Sequence, residues 1–114
     1  MNKAHADILE RMKEQKARGG IELDKLPIGT IIEAHTRNTL YKITALGKGD
    51  FEVEGGKYCP LPTVTRINGS TWGGTMIQVG WLGIDMHIEF FHFTTTAIKS
   101  LKVIAPDGSW EYDL

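Results

Sequence analysis

Apolar and polar residues alternate along most of the chain beyond Gly20, in short runs separated by glycine. A period of two places successive side chains on opposite faces of a strand, so this texture predicts strands and turns. Ile32 and Ala34 share one face of a strand over Thr30–Thr36, with Glu33 and His35 on the other. Tyr41 and Ile43 alternate with Lys42 and Thr44 over Thr39–Leu46, and Phe51 and Val53 point inward from Phe51–Glu54. Gly47-Lys48-Gly49-Asp50 reads as the hairpin loop between these last two. Further strands are expected over Thr63–Ile67, Met76–Val79, Ile84–Phe93, Ile98–Ala105 and Trp110–Asp113, with a loop over Asn68–Thr75. Pro60 and Pro62 place the start of the Thr63–Ile67 strand at a sheet edge.

The first eighteen residues follow a different period. Ala4, Ile8, Leu9 and Met12 form a narrow stripe at helical spacing, supported by the i,i+4 pairs Asp7–Arg11 and Glu14–Arg18. Gly19-Gly20 is the stop signal and the linker candidate. The stripe fades after Met12, so the first turns are expected to dock and the last to be solvated. Such a helix either covers its own domain or grips a second subunit. The chain thus divides into a helix over 1–18 and a single β domain over 19–114.

Parity changes inside the most apolar run. Met86, Ile88 and Phe90 share one face, but beyond them Phe91 and Phe93 are apolar and His92 is polar. A β-bulge near Phe90-Phe91 would restore one apolar face and curve the sheet. The expected fold class is therefore mainly β: a small antiparallel, strongly curved sheet or partly open barrel, preceded by one N-terminal α-helix.

Composition narrows the function classes. The chain has 114 residues, 41% of them hydrophobic and 24% charged, as in ordinary globular domains. Its one cysteine, Cys59, excludes an intrachain disulfide and a Cys-rich zinc site. No apolar run approaches the roughly 20 residues that span a bilayer, and the opening residues lack the apolar region of a secretory signal. A cytoplasmic location with no membrane partner is expected. Net charge is −1, with five bases against three acids in the first eighteen residues and eight against eleven in the remainder. No lysine or arginine lies between Arg66 and Lys99. A nucleic-acid binder shows a basic stripe on its folded body, so nucleic acid is disfavoured as a partner.

Three runs carry a resemblance. Thr36-Arg37-Asn38-Thr39-Leu40-Tyr41 resembles T-R-N-[ST]-x-Y, and Gly69-Ser70-Thr71-Trp72-Gly73-Gly74-Thr75 resembles G-S-T-x-G-G-[ST]. Gly80-Trp81-Leu82-Gly83-Ile84-Asp85-Met86-His87-Ile88-Glu89-Phe90 resembles G-W-[IL]-G-x-G-M-x-[IL]-x-F. Together they are similar to a group of small, uncharacterised bacterial proteins, over Pro27–Leu101. Asp85 departs from the pattern, which has a small residue there, and Thr96-Ala97-Ile98 stands in place of S-P-[IV]. The resemblance implies a fold and transfers no activity, cofactor or catalytic residue.

Candidate chemistry is sparse. Asp85, His87 and Glu89 alternate on one strand face, about 6.6–7 Å apart, and a bulge would add His92. His87, Glu89 and His92 form a possible metal set, against the plain reading of a solvated strand face. Cys59 has no neighbouring histidine in sequence to activate it. The glycine-rich loop is a better candidate. Gly69, Gly73 and Gly74 expose backbone amides around Trp72, and Arg37 or Arg66 could supply charge for a phosphate or carboxylate. Trp72 there either plugs the barrel end or offers a stacking face. No catalytic set emerges and no cofactor is expected. The leading expectation is a non-enzymatic binding or interaction module that forms a homo-oligomer. The alternatives are a small-ligand or nucleotide binder using the Gly69–Gly74 loop, and a nucleic-acid-binding small barrel.

Overall fold

The computed structural model describes residues 3–73 and 76–114, with residues 3–6, 8 and 9 described by backbone alone. The Ala4, Ile8 and Leu9 side chains of the expected stripe, and Gly74 of the expected site, lie outside the described residues. One helix, α1 (Lys3–Ala17), precedes ten strands: β1 (Gly20–Glu22), β2 (Ile31–Thr36), β3 (Leu40–Gly47), β4 (Asp50–Gly55), β5 (Cys59–Thr71), β6 (Gln78–Val79), β7 (Trp81–Gly83), β8 (His87–Phe90), β9 (Thr94–Ile104) and β10 (Glu111–Asp113).

Six strands close into an antiparallel barrel. The order is β2-β3-β4-β5-β8-β9, and β9 returns to β2 with Ile32 opposite Val103 and Ala34 opposite Leu101. Closure removes the free edges of the sheet. The alternation read from sequence sets the interior: Ile32, Ala34, Tyr41, Ile43, Ala45, Phe51, Val53, Ile88 and Phe90 are all buried. At the Gly55–Cys59 end, Phe93 stacks on Phe90 at 4.6 Å and on Tyr58 at 4.9 Å, leading the core out to the surface in rings.

The irregularity near Phe90 falls on its partner strand β5, between Ile67 and Gly69, and not on Phe90-Phe91 themselves. β8 stops at Phe90, and Phe91-His92 form a tight turn in which the Phe90 amide donates to the Phe93 carbonyl at 2.9 Å. The parity change expected as a bulge is this turn, and it leaves Phe91 exposed. Register shifts fall instead where Thr36 faces Ile98 while His35 faces Ser100, stepping over Lys99, and where β5 steps over Asn68 against β8. Extra residues there bend β9 and β5. The run expected to be one strand over Ile84–Phe93 begins as a turn, with Asp85 at φ 70°. Asp is one of the few side chains that tolerates this left-handed conformation, and Lys99 Nζ lies 3.4 Å from its carboxylate.

Gly19-Gly20 does not act as a loose linker. Gly20 opens β1, which pairs with β7 in a separate two-stranded ribbon, Ile21 opposite Leu82. A side chain at Gly20 would collide with the Leu82 carbonyl, so the ribbon requires glycine. Ile21, Leu23 and Leu82 are buried in the core cluster and join the ribbon to the barrel. The helix docks on this ribbon through its C-terminal half. Met12 is buried, and the buried Gln15 accepts from the Glu22 amide at 2.9 Å. Its end is not simply solvated: the Arg18 guanidinium lies 4.6 Å over the Trp81 ring and 2.9 Å from Glu22, and Lys16 lies 5.7 Å over Tyr112. The helix therefore covers its own domain.

Candidate functional site

Between β5 and β8 the chain leaves the barrel wall, runs through β6, and returns through β7. Three polar anchors fix this excursion. The Ser70 hydroxyl is fully buried, donates to the Trp81 carbonyl at 2.6 Å and accepts from the Gly83 amide at 3.2 Å. The Thr71 hydroxyl donates to the Met76 carbonyl at 2.6 Å and accepts from the Gly73 amide at 3.0 Å. The Gly80 amide donates to Asn68, and the Gly80 carbonyl accepts from Leu23 at 2.8 Å. Gly69 makes β6 possible: a Cβ there would overlap the Gln78 carbonyl. Hence Asn68–Thr71, expected as loop, is the end of β5, sandwiched between β6 and β8.

Among the described residues of this excursion, Trp72 and Met76–Val79 face outward, while Trp81 and Leu82 of β7 are buried. Trp72 is 70% exposed, Met76 82%, Val79 84% and Ile77 37%. Trp72 is thus no plug, while Trp81, nine residues on, is buried under Arg18. The four apolar side chains expose on the order of 500–600 Å² together, at the upper end of what soluble monomers show. No charged residue occurs from Ile67 to Ile84. β6 is the terminal strand of its sheet, with an unpaired outer edge. Open clefts flank it: one of about 410 Å³ between Trp72, Met76 and Met86, and one of about 390 Å³ between Arg66, Ile77 and Val79.

The remaining candidates scatter. Arg66 borders the second cleft on the other side of β6 from Trp72, and its Nε lies 3.6 Å from Asp50. Arg37 sits in the β2–β3 turn, its amide donating to Ala97 at 3.0 Å, and is not among the residues lining the clefts beside Trp72. The structure therefore does not gather Trp72, Arg37 and Arg66 into one anion site. His87 and Glu89 stay on β8, where His87 Nδ1 lies 2.8 Å from the Thr95 carbonyl. His92 lies in the turn beyond, edge-on to Phe93 at 4.7 Å. Among the described residues no three His, Cys, Asp or Glu side chains converge on a metal position. Cys59 is fully buried, and burial pushes its thiol above the ordinary range, so it is a core residue. Burial likewise raises Tyr41.

Met76, Ile77 and Val79 are the site residues that sequence reasoning missed as such. The available signal was the charge-free stretch between Arg66 and Asp85, too glycine-rich and short to be a core strand. No family model, curated protein or solved structure matches the chain. No helix among the described residues is long and apolar enough to cross a membrane.

Proposed function

We propose that this protein is a non-enzymatic interaction module that works as a homo-oligomer in the cytoplasm, its copies meeting through the Trp72–Val79 excursion. The observation that carries this reading is an uncharged, outward-facing apolar surface set beside an unpaired strand edge. Edge strands are ordinarily guarded by lysine, proline or a covering element, and β6 has neither residue. Two copies meeting face to face would remove about 1,000–1,200 Å², the threshold for a specific interface. A second copy is the occupant that the charge pattern favours. A patch whose own side chains carry no charge is complementary to itself, as a two-fold contact requires, and the charges at its rim, Arg18, Arg66 and Asp85, are paired within the chain with Glu22, Asp50 and Lys99. β6 can also extend its sheet by antiparallel pairing with its own copy. The nucleic-acid alternative gains no support from a segment without lysine or arginine between Arg66 and Lys99, since the arginines at its rim, Arg18 and Arg66, are already paired with Glu22 and Asp50.

Trp72 provides the test. It is the exposed tryptophan of the three, so assembly should bury it and shift its emission to shorter wavelength. Fluorescence across a dilution series is expected to show a blue shift with rising concentration, and Trp72→Phe should abolish the shift. Emission that stays constant while sedimentation reports an assembled species would overturn the proposal.

A further inference from the structure

A second concavity opens at the other face of β6, at the mouth of the barrel beside the β3–β4 hairpin. It measures about 230 Å³. Its walls include Leu23, Ala45, Phe51 and Ile67, all buried side chains of the core cluster that border this space. An apolar cavity of about 150 Å³ holds a benzene ring, so this one has room for a ring or branched alkyl group with a short polar tail. The rim is charged. Asp50 is already neutralised by Arg66 at 3.6 Å. Asp24 and Lys48 are different: both are exposed on the rim, and neither has an ion-pair partner among the described residues.

We propose that the barrel mouth binds a small zwitterion with an apolar body, of the class of free aliphatic or aromatic amino acids. The apolar group enters between Phe51 and Ile67, leaving water for a preformed apolar wall. At the rim the ammonium group meets Asp24 and the carboxylate meets Lys48, so one ligand neutralises both unpaired charges. A simple anion would satisfy Lys48 and face repulsion from Asp24, and a simple amine would do the reverse. This site does not rest on self-association: it shares Val79 with the proposed contact surface, but Leu23, Asp24, Lys48 and Phe51 lie outside that surface.

The test uses defined probes on the full chain: L-phenylalanine and L-leucine, with N-acetyl-L-phenylalanine lacking the ammonium group and phenethylamine lacking the carboxylate. Calorimetric titration and thermal shift are expected to show binding of the amino acids. The two truncated analogues should each bind roughly three- to tenfold more weakly, as loss of a rim charge pair implies. Asp24→Asn should weaken L-phenylalanine by a similar factor and strengthen N-acetyl-L-phenylalanine, whose carboxylate no longer faces the Asp24 charge. Lys48→Gln should weaken L-phenylalanine and strengthen phenethylamine, whose ammonium group no longer faces the Lys48 charge. Both side chains are exposed, so the variants keep the fold, which circular dichroism verifies. The proposal is overturned if neither amino acid binds at about 10 mM, if the analogues bind as well as the zwitterion, or if both rim variants bind unchanged.

Discussion

The wall formed by β2, β3 and β4 and the segment made of Trp72 and Met76–Val79, which carries β6, are built from the same residue types and present opposite faces. In the wall, Ile32, Ile43 and Val53 point inward while Glu33, Lys42, Glu52 and Glu54 point out. In the excursion the polar atoms of Ser70 and Thr71 turn inward to hold the backbone, while Trp72, Met76 and Val79 point out. The wall gains its stability from burying apolar surface. The excursion is held by hydrogen bonds and a glycine contact, and leaves its apolar surface unspent.

The comparison breaks most sharply in the wall. Ile43→Ala should destabilise the fold by about 2–5 kcal/mol, because the emptied site is ringed by the barrel and collapses poorly. Chemical denaturation measures it. Trp72→Ala, which removes a larger side chain from the excursion, should change monomer stability by less than about 0.5 kcal/mol. Equal losses would mean that the excursion is part of the core.

Gly69→Ala addresses the seam between the two regions. The added methyl meets the Gln78 carbonyl, and φ at this position is 148°. A strained backbone costs on the order of 1–3 kcal/mol, but here β6 can lift away instead. The expected result is faster hydrogen exchange at Val79 with protection of Ile43 and Val53 retained. Uniform loss of protection would show that β6 belongs to the barrel's cooperative unit.

The smallest effect is electrostatic and distinguishes the buried interior from the exposed rim. Cys59 and Tyr41 are held neutral by burial, with raised folded-state pKa values. Unfolded thiols ionise near pH 8.5 and phenols near 10, so stability should fall as pH rises through these values toward the folded ones. Cys59→Ala should remove the lower part of that decline. Glu22 moves the other way: the hydrogen bond from Arg18, followed by nearby cations, holds its carboxyl below the usual value. Its contribution is present above the ordinary carboxylate range and lost as pH falls through the folded value. Because Glu22 is solvent-accessible, that acid-side change should be slight. Melting temperature against pH checks both signs.

The barrel was legible because alternation is a strong signal over five or more residues. Ile32 with Ala34, Tyr41 with Ile43, Phe51 with Val53, and Ile88 with Phe90 all face inward as their spacing predicts. The exposure of Trp72 agrees with its setting in a polar, glycine-rich loop. What failed was local geometry on a scale of two or three residues. β1 and β7 are too short to show any period. The turn at Phe91-His92 and a bulge at Phe90-Phe91 give the same parity change, and only the course of the chain distinguishes them. Arg37 could not be placed from sequence because the β2–β9 pairing that closes the barrel puts it beside Ala97.

The most direct test of the central claim applies one substitution to both regions. Val64 lies exposed on β5 in the barrel wall and Val79 lies exposed on β6. Val64→Glu and Val79→Glu place the same charge on each surface, and sedimentation equilibrium at matched concentration reports the mass of each variant. The account predicts that Val64→Glu keeps the wild-type assembly and that Val79→Glu sediments as a single chain with an unchanged circular dichroism spectrum. An assembled Val79→Glu, or a wild-type protein that is already a single chain across the accessible concentration range, would contradict it.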